Sequence, residues 1–228
     1  MSEFQLIKPE TTTKLATMEA VVNQFQAMAA KGQFEKAIAT GAAIVHLQKQ
    51  MDDPAIQAAI TPLCGNILGF KADKQYEWPV IRDNIIRARL LGLNLTGNEF
   101  NIIAGNTYVT SEGTEALLRS AGVNFSITEE IPVEGKNGLW NVTVTIEWGG
   151  SNKKQLTFAI KGAGQYTTSD ALQGKARSKA KKWLLRHVSN NAIEFDDEVE
   201  SAIHVTPKPL FPEKKDEKPA QQSDGLFN

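Results

Sequence analysis

The chain is short of the residues from which disulfide scaffolds, zinc sites and catalytic triads are built. Among 228 residues there is one cysteine, Cys64, and there are three histidines. A single thiol excludes an intramolecular disulfide framework, and no Cys or His pair has zinc-ligand spacing. His46 falls in an Ala-rich stretch, His187 on the apolar side of a basic helix and His204 near the C-terminus. Each reads as structural, because no nucleophile or second ligand stands at a useful spacing. The phosphate-binding pattern G-x-x-x-x-G-K-[ST] is missing, and Lys161-Gly162-Ala163-Gly164 lacks the third glycine of a dinucleotide fingerprint. No run approaches the ~18 apolar residues of a membrane span, and Met1 to Glu10 lacks the basic and apolar regions of a secretory signal. The expectation is a non-enzymatic cytoplasmic protein with no membrane partner and no cofactor. Mg²⁺ would find carboxylates in the run Glu194 to Glu200, although such a run is ordinarily solvated.

What is present is unevenly spread. Hydrophobic residues make up 41% of the chain, enough for one good-sized core, and the net charge of -1 is a balance between segments of opposite sign. Glu194 to Glu200 carries five acids and no base. Asp170 to Val188 reads as an amphipathic helix dense in cations. At ~100° per residue, Lys175, Lys179, Lys182 and Arg186 share one narrow face, while Ala176, Ala180, Trp183, Leu184, His187 and Val188 occupy the adjoining one. Arg177 and Lys181 make a second i, i+4 pair on the other flank, and within the helix only Asp170 opposes them. Such a row repels itself in water, so a polyanion is its natural partner. The blander alternative is a solvated face whose lysine stems cover a buried tryptophan.

Residues 1–14 read as a loose polar arm, and Leu15 to Gln50 as two helices parted at Lys31-Gly32. A third helix opens at Asp52-Asp53-Pro54, and a fourth runs from Trp78-Pro79 to a stop at Gly92. Phe100 to Ala104 and Thr107 to Thr110 suit a hairpin turning at Gly105-Asn106. Ser111 or Thr114 is positioned to cap a helix over Glu115 to Ser120, closed by Gly122. Asn124 to Glu130, Leu139 to Trp148 and Gln155 to Lys161 follow as strands, and then the basic helix. The class is α+β: a helical N-terminal part, then a small antiparallel sheet (a hairpin plus a three-stranded meander) packed with helices, then a disordered tail. Residues 1–34 are an arm and helix suited to oligomerisation, 35–192 the core, and 193–228 an acidic, Pro-, Lys- and Glu-rich tail with too few apolar residues to fold alone.

This order of elements, with three local motifs, resembles the RecT family of phage single-strand annealing proteins, which includes the Red beta protein. Leu91-Gly92-Leu93-Asn94-Leu95 is similar to the family's LGLxP turn, with Leu95 in place of proline. Ile102 to Gly122 is similar to its strand, turn and helix end, here Leu118-Arg119-Ser120-Ala121-Gly122, and Lys175 to Val188 to its late basic helix. The hairpin lacks the longer basic loop of some members. Over residues 35–190 the resemblance implies ATP-independent binding of single-stranded DNA, assembly into rings or helical filaments, and annealing through a duplex intermediate. It also implies a phage-type recombination setting, with a partner exonuclease or host single-strand binding protein engaged through the tail. Annealing needs no fuel, because pairing and stacking are downhill once phosphate repulsion is screened.

The phosphate path is expected on Lys175, Lys179, Lys182 and Arg186, with Arg177 and Lys181 as further contacts or subunit-interface residues. Lys153 and Lys154 between two strands, and Arg82 and Arg89 on the fourth helix, are added to it. Tyr108 and Tyr166 are the aromatics nearest these charges and the candidates for base stacking, whereas Trp140, Trp148 and Trp183 are assigned to core or interface. Two other functions fit the same pattern: a single-strand binding or replication accessory protein that slows annealing, and a structural or adaptor oligomer whose basic helix binds an acidic protein.

Overall fold

A computed structural model describes residues 9–29, 32–162, 164 and 167–189. Helix α1 (Pro9–Ala29) begins earlier than expected: residues 9–14 are its first turns rather than a loose arm. Proline suits a first helical turn, whose N–H lacks a partner anyway, and Lys14 is drawn onto Asp53 by an ion pair. Helix α2 (Gln33–Met51) buries Ala39, Ala43, Leu47 and Met51 at four-residue intervals, so a stripe of small and then larger side chains seats it against α1. Asp53 caps α3 (Pro54–Ile60), its carboxylate accepting the Ala55 N–H at 2.8 Å. Helix α4 (Trp78–Leu91) packs on α1 and α2. It ends at Gly92 in the left-handed region, φ 93°, where the Leu93 N–H reaches the Ala88 carbonyl at 2.9 Å and the Leu93 side chain is fully buried.

Strands β1 (Lys71–Ala72), β2 (Phe100–Ile103) and β3 (Asn106–Val109) form a small sheet in which β1 runs parallel to β2 and β2–β3 is the hairpin. The turn lies one residue before the expected place, on Ala104-Gly105, with φ 50° and 79°. Three side chains hold it there. Asp73 accepts the Ala104 N–H at 3.0 Å, the Tyr76 hydroxyl accepts the Gly105 N–H at 2.8 Å, and Asn84 donates to the Gly105 carbonyl at 3.0 Å.

Helix α5 (Ser111–Ser120) starts four residues before Glu115, and its cap is Thr110 rather than Ser111 or Thr114: the Thr110 hydroxyl accepts the Gly113 N–H at 3.0 Å. A meander follows. Strands β4 (Phe125–Glu129) and β5 (Val133–Glu134) pair along one edge of β6 (Leu139–Trp148), and β7 (Asn152–Lys161) pairs along the other. The expected third strand is thus lengthened, and β5 is an addition. Alternation along β6 sends Val142, Val144 and Ile146 inward, all fully buried. Helix α6 (Ser169–Val188) lies on that inner face, with α5 against its other side. The fold is α+β; the main apolar cluster runs from Val22 on α1 through Ile85 and Leu118 to Val144 and Leu184, and a smaller one gathers Phe25, Ala39 and Ala43. Among the described residues no helix is long and apolar enough to cross a membrane.

Candidate nucleic-acid interface

Helix α6 opens where the Thr168 hydroxyl accepts the Ala171 N–H at 3.2 Å; Asp170 sits in its first turn, and Arg186 and His187 in its last. Asp170 and Arg186 each match the end of the helix dipole they occupy. Leu172, Ala176, Ala180 and Leu184, at four-residue spacing, are buried in the cluster that contains Val142, Val144 and Ile146. Ser178, Lys181, Lys182 and Leu185 are buried as well. The helix is therefore covered on two sides, and this divides its cations.

Two of the six, Lys181 and Lys182, are turned inward, and a third, Arg177, is exposed but paired. Lys182, expected on the phosphate row, is only 1% exposed. Its ammonium donates to the Tyr108 hydroxyl at 2.9 Å and lies 4.8 Å from the centre of that ring. Lys182 stands at the margin of the row next to Ser178, and the packing of α6 turns it under β3. Tyr108 is buried by the same contact, so it is not the open stacking surface its position suggested. Lys181 donates to Glu115 at 2.7 Å and to the Ser111 hydroxyl at 3.3 Å, and Arg177 pairs with Glu129 on β4. Counter-charges absent from the helix itself arrive from its neighbours.

The other expected cations are also engaged, apart from Lys154. Arg82 binds both carboxylate oxygens of Asp52, at 2.8 and 3.0 Å, and Asp83 at 2.9 Å. Arg89 binds Glu19 at 2.7 and 2.9 Å and the Leu93 carbonyl at 2.7 Å. These two arginines tie α4 to the N-terminal helices instead of sharing one external partner. Lys153 pairs across the sheet with Glu147 at 2.7 Å. Tyr166 and the acidic run Glu194 to Glu200 lie outside the described residues.

The remaining α6 cations form the arc of Lys175, Lys179 and Arg186, the first two half-buried and the third exposed. Its place follows from the order of contacts round the helix. Arg177 meets β4 and Trp183 meets β6, so continuing in the same sense at ~100° per residue brings the arc to the β7 side. Register places Lys154 there too: it lies opposite Ile146, on the sheet face that also carries Trp148. Lys154 is exposed.

Beside these cations stands an aromatic cluster whose tryptophans, assigned by the sequence to core or interface, pack partly buried against the core. The Trp183 and His187 rings, one helical turn apart, stack in parallel, 5.0 Å between centres and 9° between planes. Trp148 of β6 meets both edge-on, at 5.7 and 5.5 Å. Trp148 and Trp183 are half-buried and His187 is exposed. The signal was present as an aromatic pair at i, i+4 bordering the cationic row, but the apolar side of a helix is more often core than binding surface.

The Lys181–Glu115 pair yields an expected pH effect. The Lys181 ammonium beside Glu115, its largest influence, holds the carboxyl below the usual glutamate range against the opposing effect of burial. A depressed carboxylate stabilises the fold above its unfolded pKa of about 4.3 and loses that contribution as pH falls through the folded value. Lys181→Met should therefore lower stability by about 1 kcal/mol at neutral pH, and the gap to wild type should shrink below about pH 4. Urea unfolding of both proteins at pH 7 and pH 3.5 measures this; a gap that stays constant would show that the pair does not act through charge.

Among the described residues, no three His, Cys, Asp or Glu side chains gather as a metal site. No protein-family model, no curated protein and no solved structure matches the chain, so the interface rests on its own geometry.

Proposed function

We propose that the protein binds single-stranded DNA and anneals complementary strands without nucleotide, as its resemblance to the RecT family implies, acting as a cytoplasmic homo-oligomer with no enzymatic step. The observation that carries this is the placement of Lys175, Lys179 and Arg186 beside the partly open Trp148, Trp183 and His187 rings. Phosphates and bases are the two halves of a single strand, and a cationic row bordered by aromatic rings meets both. The row runs about 16 Å along the helix axis, a length that follows a backbone rather than grips one phosphate.

Self-association is supported by α2. Opposite its buried stripe, Phe34, Ile38 and Val45 are 76%, 56% and 68% exposed, an apolar face of the kind that marks a contact surface.

The test is the pairing rate of two complementary fluorescent oligonucleotides, with and without protein, in the absence of nucleotide and at two salt concentrations. Acceleration that fades at high salt is expected. Phe34→Ser with Ile38→Ser should reduce both self-association and acceleration while single-strand binding by the subunit persists. Slowed pairing would replace the annealing function with protective binding, and the absence of any DNA shift would leave the adaptor function.

A further inference from the structure

The rings at the end of α6 make a more specific assignment than strand binding as a whole. We infer that Trp148, Trp183 and His187 form a base-stacking seat, in which an unpaired nucleobase of the bound strand lies on the His187 face away from Trp183 and continues the Trp183–His187 stack. The inference rests on the proposed single-strand binding and names its contact with the base.

Three features select this occupant. The stack is flat and already ordered: Trp183 and His187 are within 9° of parallel, and Trp148 braces both from the side. A planar ligand therefore finds its platform preformed, and little side-chain freedom is lost on binding. Among the described residues, His187 carries no ring on its far face, and its side chain is exposed. Among the described residues, the charges named beside the rings are cationic: Lys179 and Arg186 border them on α6, and Lys154 lies on the Trp148 face of the sheet. That potential repels quaternary ammonium groups, the other common guests of aromatic cages, and draws in a planar group with anions on both sides. A nucleobase between two phosphates has that form.

The arrangement also suits annealing. Stacking uses the face of a base and tolerates any sequence, so the pairing edge is left free to meet an incoming strand. Trp148 and Trp183 are positioning residues in this scheme, and His187 is the contact.

The experiment titrates full-length protein into labelled oligo-dT and into an abasic oligomer of equal length, which has the phosphates without the bases. Wild type should prefer oligo-dT, and His187→Ala should weaken oligo-dT binding by about 5- to 100-fold, the range for one stacked base, while abasic binding stays within about twofold. His187→Tyr, which restores a ring, should recover most of the preference. His187 is exposed, so the variants are expected to fold, and thermal melting checks this. Equal wild-type affinity for the two oligomers, or an equal loss for both in His187→Ala, would overturn the seat and leave single-strand binding standing. If neither oligomer binds but an acidic Glu/Tyr copolymer does, the underlying nucleic-acid proposal fails and the seat with it.

Discussion

Converting Lys175, Lys179 and Arg186 together to glutamate is expected to weaken single-stranded DNA binding by at least several hundredfold at about 50 mM salt while the fold persists. The magnitude comes from counterion release. Each phosphate neutralised on a single strand contributes about -0.7 to the slope of log affinity against log salt, so three give a slope near -2. Referred to molar salt, that slope is worth several hundredfold at about 50 mM, and wild-type affinity should fall about 20-fold between about 50 and 200 mM. Reversing the charges adds repulsion to the loss. The fold should tolerate the change: Arg186 is exposed, Lys175 and Lys179 are half-buried, and these two lysines form no ion pair with another described residue.

Salt titration by fluorescence anisotropy decides the point through the slope as well as the affinity. In the triple variant the slope should collapse towards zero. A variant that keeps the wild-type slope would move the phosphate path elsewhere, with Lys154 the next candidate. Lys182→Met supplies the control, because Lys182 is buried against Tyr108 and should not contribute to the slope. If the sequence-based grouping of Lys182 with the row were the operative one, this variant would flatten the slope by a single contact's share.

That contrast marks what was legible in the sequence. Six cations on one helix look alike, and helical periodicity sorts them only by direction. The groups that claim three of them are 48, 66 and 74 residues away, at Glu129, Glu115 and Tyr108, and nothing local announces that pairing. Some helix ends were legible because their causes are local. Asp53 caps α3, while Gly92 and Gly122 each take positive φ and let the next N–H bond back to the carbonyl five residues earlier. The same observation bears on the family resemblance. Leu91-Gly92-Leu93 and Ala121-Gly122-Val123 are helix stops with a complete physical explanation in backbone geometry, so they speak for the fold and are silent about DNA. The hairpin was legible to within one residue. Ala104 is a poor choice for positive φ, and the turn sits there because Asp73, Tyr76 and Asn84 hold it from other elements. Two-residue β1 has no pattern to read, and it exists by virtue of its neighbour β2.

A second large effect is expected far from the interface: Gly113→Ala should destabilise the protein by about 3 kcal/mol or more, lowering the melting temperature by about 6 to 12 °C. Alanine is ordinarily the better helix former, so the expected sign runs against propensity. The reason is distance. A Cβ on Gly113, in the first turn of α5, would lie 1.9 Å from the Glu99 carbonyl oxygen and 3.1 Å from Leu93. That carbonyl cannot retreat easily. It accepts the Thr110 N–H at 3.1 Å, the Glu99 carboxylate holds the Asn94 N–H at 2.7 Å, and the Thr110 hydroxyl donates to the neighbouring Asn98 carbonyl at 2.7 Å. Moving the loop breaks the α5 cap as well. Gly41→Ala is the comparison. Gly41 is also helical, but a Cβ there meets nothing within 4 Å, so the same substitution should stabilise by about 0.5–1 kcal/mol. Thermal melts of the two variants should move in opposite directions. A Gly113→Ala protein as stable as wild type would mean that the 94–99 loop yields freely, and that the close seating of α5 against it does little to fix where α6 and its cationic arc stand.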